Sequence, residues 1–391
     1  MFPPESADYT ALVGWYSSAP QNLSRTNAGI PPLLALLGLG CAARLVPPPA
    51  LFPMKSVWQT SVEEAIEGPL VTDGRFVFVS TASGAVFALG LGNGHVAWKA
   101  ATGAVARIAA APGVLLARHE DGLVTSLDPA TGTVRWKAAT GVPGSLPPLL
   151  EANAVFVAGD GVAAIEVATG RLLWIATDGA QVTAPAAAAG GRLFLGETDG
   201  TLRCRDRVSG ASLWTFPTGS ALRAAAASDE RQSVLVGTTA RGFLALSSDR
   251  GKRRWRWKLG ADVLMPPLVF EGSILVASHD AVLYALNRAN GHLDWRAPLP
   301  ARPLSGPLPF GTTVLVACLD DEVVGFDART GRSLGRLKTS AEIRGAPLLV
   351  EDRLYVGQRD RSVASYLLDS TPAKVPAPAQ SRTKERPGRV P

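Results

Sequence analysis

The 391-residue sequence is poor in the residues on which most catalytic and metal sites are built. It has three cysteines, Cys41, Cys204 and Cys318, and no two are adjacent. Its four histidines, His95, His119, His279 and His292, fall at no spacing that metal ligation uses. No stretch keeps a helical apolar period over a useful length, which leaves strands and turns as the building material. The apolar run from Ile30 to Cys41 is too short for an ordinary transmembrane helix. Gly90-Leu91-Gly92-Asn93-Gly94 has the look of a phosphate-binding loop, but no helix follows it, so it reads as a turn.

What the sequence has in abundance is one repeated phrase. A turn glycine stands four residues before a tryptophan at Gly94–Trp98, Gly132–Trp136, Gly170–Trp174, Gly210–Trp214, Gly251–Trp255 and Gly291–Trp295. A seventh copy, Gly331 to Gly335, has lost the aromatic, and Trp58 stands alone upstream. From Trp58 the successive spacings are 40, 38, 38, 40, 41, 40 and 40 residues. A fixed period of this size marks a repeat architecture.

Each period has the same inner order. In one copy a strand from Met265 to Val269 is followed by the Glu271-Gly272 turn and the apolar strand Ile274–Ala277. A polar turn leads to Val282–Leu286, and Asn290-Gly291 turns into the tryptophan strand. Four short strands joined by turn residues, repeated radially, describe a propeller blade. Complete units end at Trp98, Trp136, Trp174, Trp214, Trp255, Trp295 and Gly335. The eighth, from Ala341 to about Asp369, has only three strands. The segment Met54–Trp58 supplies the fourth, so the N-terminal strand closes the ring. The fold class expected is all-β: an eight-bladed β-propeller of four-stranded antiparallel blades. A single blade cannot bury both faces, so Trp58, Trp98, Trp136, Trp174, Trp214, Trp255 and Trp295 are assigned to packing between blades, each burying on the order of 200 Å².

The expected organisation is a disordered extension over 1–29, a signal-like apolar segment and Pro-rich spacer over 30–54, the propeller over 55–369 and a disordered basic tail over 370–391. Net charge is +6, of which +4 lies in the tail on Lys374, Arg382, Lys384, Arg386 and Arg389 against Glu385. The high pI therefore describes the tail more than the ring and gives little support to nucleic-acid binding. Cys204, in the third strand of blade four, and Cys318, in the second strand of blade seven, are expected to be too far apart to bridge and to serve as small buried apolar groups. The segment Ile30–Cys41 fits the apolar core of an export signal.

The phrases Asp128-Pro129-Ala130-Thr131-Gly132-Thr133-Val134-Arg135-Trp136 and Gly196-Glu197-Thr198-Asp199-Gly200-Thr201-Leu202 resemble the PQQ-like repeat family of propellers. That family includes quinoprotein dehydrogenases and non-catalytic scaffolds. The dehydrogenases carry adjacent cysteines, a calcium site and large insertions. This sequence lacks adjacent cysteines, and its uniform spacing leaves no room for an inserted active-site loop. The expectation is no catalysis, no cofactor and no metal. Size, blade number and the apolar leader resemble the BamB family of propeller lipoproteins of the outer-membrane barrel-assembly machinery. Leu-Gly-Leu-Gly before Cys41 resembles a lipobox, although Gly38 stands where that pattern has Leu. The resemblance implies lipidation at Cys41, a place at the periplasmic face of the outer membrane, and a monomeric propeller binding the periplasmic domains of a BamA-type barrel protein. Two alternatives are another periplasmic or surface protein-binding propeller and a small PQQ-dependent oxidoreductase.

In the resembled family a Leu-x-Leu-Arg phrase opens a blade and takes part in partner binding. Here Ser220-Ala221-Leu222-Arg223 matches its Leu-Arg part, which singles out Leu222 and Arg223. Positions nine residues after each Trp site are Glu67, Arg107, Ser145, Thr183, Arg223, Leu264, Leu304 and Arg344. They are expected to ring the mouth of the axial channel, where Arg107, Arg223 and Arg344 could bind carboxylates. The run Lys252–Lys258 alternates Trp255, Trp257 and Leu259 with Arg254, Arg256 and Lys258. With the indoles between blades, those charges read as protection of an outer edge.

Overall fold

The computed structural model describes residues 52–103, 107–229 and 232–368. Cys41, the extension and nearly all of the signal-like segment and spacer, and the basic tail lie outside the described residues. Within them all regular structure is strand, arranged as eight four-stranded antiparallel sheets.

Blade two shows why the repeat folds as it does. Its strands are Arg107–Ala111, Val114–Arg118, Leu123–Leu127 and Val134–Ala139. Asp128 shapes the last turn by accepting the N–H groups of Ala130 at 2.8 Å and Thr131 at 3.1 Å on its carboxylate. Gly132 closes the turn at φ +72°, a conformation that favours glycine. The register then slips between Ser126 and Leu127, so Arg135 bulges out just before Trp136. The same slip precedes the Trp position in every blade. Second and third strands are buried almost continuously because neighbouring blades cover both their faces. Outer strands alternate between exposed and half-buried positions. The inner strand of blade six covers only Leu268–Phe270, shorter than the sequence suggested, because Pro266 and Pro267 have no N–H to give to a ladder.

Closure is by the N-terminal strand. Lys55–Ser61 pairs antiparallel with Ser362–Leu367, with Ser56 opposite Tyr366 and Trp58 opposite Ser365. Blade eight thus joins the two ends of the chain.

Adjacent blades meet at a repeated joint. The indole of each of the seven tryptophans from the repeat lies on the turn glycine of the next blade. A Cβ on Gly132 would stand 2.6 Å from Trp98, and one on Gly170 2.6 Å from Trp136. Gly94, Gly210, Gly251, Gly291 and Gly331 meet Trp58, Trp174, Trp214, Trp255 and Trp295 in the same way. The indole N–H donates to the carbonyl three residues before that glycine, as from Trp98 to Pro129 at 2.9 Å and from Trp136 to Val167 at 3.0 Å. Trp58, Trp174, Trp214 and Trp255 repeat the bond to Leu91, Arg207, Ser248 and Arg288. Trp295 keeps the packing but its buried indole N–H has no acceptor among the described residues.

Blade seven has no indole to offer. Phe52 takes its place, and a Cβ on Gly335 would stand 2.7 Å from the Phe52 ring. Met54 is buried beside it in the cluster shared by blades seven and eight. Packing of the ring therefore begins at Phe52, three residues before the point the sequence pattern marks.

Cys204 and Cys318 are buried and unbonded, and burial pushes both thiols up to about 12. Cys204 is in the third strand of blade four, whereas Cys318 stands one residue beyond the second strand of blade seven, bridged to Pro303.

Candidate functional site

The loops that enter the inner strands and those that join second to third strands are tied together on one face of the ring. Thr239 N–H donates to Ala221 O at 3.1 Å, Thr198 N–H to Gln181 O at 2.8 Å, and Arg359 N–H to Glu342 O at 2.8 Å. The eight positions nine residues after the Trp sites lie in this region. Among them Glu67, Thr183, Leu304 and Arg344 donate their N–H groups to the end of the second strand of their own blade.

The three arginines of this series do not converge. Arg344 reaches Glu67 of blade one at 3.2 Å. Arg107 is buried, and its Cδ lies 3.9 Å from where a Gly68 Cβ would be. These two therefore flank blade one from either side. Arg223 belongs to blade five, across the ring. The equivalents between them are Ser145, Thr183, Leu264 and Leu304, which carry no charge.

Leu222 is fully buried between blades four and five, where it fills the space left by Gly196 and packs near Ala184. Its carbonyl accepts the Thr183 hydroxyl at 2.9 Å. It anchors the segment that carries Arg223, and of the two only Arg223 is exposed.

Blade five differs from its neighbours on this face. In these loops blade one carries Glu64 and Glu67, blade two Glu120, blade three Asp160 and blade four Glu197. Blade six carries Asp262 and Asp280, blade seven Asp320, and blade eight Glu342 and Asp360. Blade five has no carboxylate there and instead exposes Arg223 and Arg241. Neither arginine has an acidic partner among the described residues. Arg241 also sits at φ +61°, where blades one, two and four have Gly84, Gly122 and Gly200 at φ +80°, +87° and +83°. A side chain in that region costs about 1 kcal/mol. Blade eight has Arg361 at the same position, at φ +70°, so what sets blade five apart is the absence of a carboxylate from these loops. Sequence reasoning missed Arg241.

Elsewhere on the face, Glu64 accepts bonds from Lys99 and Thr81, each at 2.6 Å, and from Ser83. These bonds, the one from Lys99 foremost, hold its carboxyl down at about 2. His119 is buried against the Thr125 hydroxyl at 3.1 Å. His95 and His292 are exposed in turns of blades one and six. His279 is half-buried in blade six, and desolvation lowers its pKa. The histidines do not gather, and no group of three or more His, Cys, Asp or Glu is placed to hold a metal among the described residues.

A cavity of about 150 Å³ opens among the inner strands of blades four to seven, lined by Ala187, Phe194, Ala226, Pro266, Pro267 and Pro307 among others. PQQ is a planar tricarboxylate, and this lining offers it no cationic side chain. The residues that line this cavity do not fit that cofactor.

The family model described as outer membrane protein assembly factor BamB matches residues 101–215, 198–307 and 299–371. BamB of Bordetella pertussis is 31% identical over 91 residues, a stretch covering 23% of this chain and 23% of that relative. The chain thus matches less than a quarter of the relative's length. The crystal structure of BamB from Moraxella catarrhalis superposes with a TM-score of 0.68 at 17% identity, over 80% of this chain and 99% of that one. The quinohemoprotein alcohol dehydrogenase of Comamonas testosteroni superposes with a TM-score of 0.66 at 13% identity, over 81% of this chain and 76% of that one. At those identities the two structures share the propeller fold and nothing finer follows from them. The family match, which runs from residue 101 to residue 371, places this chain in the outer membrane protein assembly factor BamB family.

Proposed function

We propose that the chain is a non-catalytic accessory factor in the assembly of outer-membrane β-barrel proteins. It works at the periplasmic face of that membrane, where lipidation of Cys41 would hold it, and binds the periplasmic domains of a BamA-type barrel protein. The observation that carries this reading is the family match over residues 101–371, on a ring whose blades hold a 38 to 41 residue period without insertions.

The contact is assigned to blade five. Arg223 and Arg241 are exposed, free of acidic partners among the described residues, and set in a face whose other blades carry carboxylates. An acidic segment of a partner would be drawn to that blade and repelled by its neighbours, which fixes orientation as well as affinity. Arg344 is a secondary contact beside blade one, weakened in that role by its pairing with Glu67, while Arg107 is buried and not available to a partner.

The test is capture of the full chain by immobilised periplasmic domains of a BamA-type protein. Arg223→Glu with Arg241→Glu is expected to lower affinity at least tenfold, on the order of 1.4 kcal/mol or more. Undiminished capture would remove blade five from the account. Absence of capture by the unaltered chain, together with dye reduction after addition of PQQ and calcium, would replace the scaffold reading with the oxidoreductase one.

A further inference from the structure

The outer strands do not share their charge evenly around the ring. Blades five, six and seven present Arg253, Arg254, Arg256, Lys258, Arg296, Arg336 and Lys338 there, all exposed, against the single carboxylate Asp294. The outer strands of blades three and four, Leu172–Ala176 and Ser212–Pro217, have no charged residue and expose Leu172, Leu173, Ile175 and Leu213. Protection of sheet edges by charge therefore cannot be the whole reason for the cations. The edges of blades three and four need it more and lack it.

The cations of blades five and six are available. Arg254, Arg256, Lys258 and Arg296 have no acidic partner among the described residues. Arg336 pairs with Glu322 at 3.2 Å and Lys338 with Asp321 at 3.5 Å, both as exposed pairs that solvent weakens. Trp255 and Trp257 turn inward, with Trp255 only 9% exposed and Trp257 packed on the cluster between blades five and six. The surface is thus cationic without exposed aromatic platforms, which suits phosphate-bearing surfaces more than single-stranded nucleic acid.

Both ends of the described chain emerge beside this arc. Phe52 is seated on Gly325 and Gly335 of blade seven, and Leu368 is tied to Asp352 of blade eight. The apolar stretch Ile30–Leu39 lies upstream of Phe52. From Cys41 to Phe52 the chain reaches at most about 40 Å when fully extended.

We propose that the rim of blades five to seven docks on an anionic lipid bilayer and holds the propeller edge-on to the membrane. The lipid phosphates are the occupants, recognised by density of charge and not by a shaped pocket. The inference does not depend on the identity of the protein partner.

The test is flotation of the full chain with vesicles of phosphatidylcholine alone and of phosphatidylcholine mixed with phosphatidylglycerol. Tighter binding to the anionic vesicles, falling with salt, is expected. Replacing Arg254, Arg256, Lys258 and Arg296 by Gln should weaken that binding by about thirtyfold or more. Arg135→Gln with Lys137→Gln, on the rim of blade two, should leave it within about twofold. All six side chains are exposed, so both variants should fold, and an unchanged circular dichroism spectrum and thermal melt would show that they do. Equal binding to neutral and anionic vesicles would overturn the proposal. So would an unaltered affinity of the fourfold variant, or an equal loss from the blade-two control.

Discussion

The joint between blades seven and eight is built differently from the others, and the contrast shows what a propeller must solve at its seam. At the seven tryptophan joints a continuous hairpin supplies a flat glycine turn for the indole to lie on, as Gly170 does for Trp136. In six of them a carbonyl also accepts the indole N–H. Blade eight has no such hairpin, because its third and fourth strands come from opposite ends of the chain. There is no turn for an indole to cover. Blade seven accordingly has Gly335 at the Trp position, and Phe52 fills the slot from the other side. The lost tryptophan and the N-terminal closure are one feature.

Changes at the joints should separate by mechanism. The largest effect is expected between blades two and three, where a buried charge on the second strand of blade two joins the blades in addition to the indole. Arg118 is 1% exposed and donates to the carbonyls of Leu146, Ala158 and Val142 at 2.6, 2.7 and 3.1 Å, with no carboxylate paired to it among the described residues. Arg118→Leu strands three buried acceptors and should cost about 4 kcal/mol in denaturant unfolding. An ordinary joint should come next: Trp136→Ala empties its slot for about 3 kcal/mol. Phe52→Ala should cost about 2 kcal/mol and act locally. Hydrogen exchange should speed up first in Lys55–Ser61 and Ser362–Leu367, while the strands of blade three stay protected.

Finer differences sharpen the same contrast. Trp136→Phe gives up the bond to Val167 and should cost about 1 kcal/mol more than Trp295→Phe, since Trp295 has no bond to lose. Equal losses in the two variants would mean that packing alone makes the joint. The smallest effect is at Glu64, whose folded-state pKa of about 2 lies below the ordinary 4.5. Its ion pair with Lys99 therefore stabilises above about pH 4.5 and fades as pH falls towards 2. NMR titration of the Glu64 carboxyl should give a midpoint near 2, and Lys99→Ala should move it up.

The repeat made the ring legible. Trp spacing set the blade count, and the three-strand remainder after Ala341 pointed to the N-terminal strand as its completion. Phe52 was not legible, because it lies outside the period and is identified only by the space that Gly335 leaves. The series nine residues after each Trp fell at equivalent places on one face of the ring but did not form one cluster. Periodicity places side chains in equivalent positions, whereas which of them are buried, as with Arg107, or paired, as with Arg344, depends on the neighbouring blade. Arg241 shows the reverse case. Its signal was a broken repeat, an arginine at a left-handed turn position that blades one, two and four give to glycine and blade eight gives to Arg361.

Ring closure is the claim on which the joints, the emergence of both termini and the rim beside them all depend. Ser61 and Ser362 are direct cross-strand partners. The double variant Ser61→Cys with Ser362→Cys, oxidised under mild conditions and mapped by mass spectrometry, should give a disulfide between those two positions in nearly every monomer. Recovery of both thiols free, with the ring otherwise folded, would contradict the account.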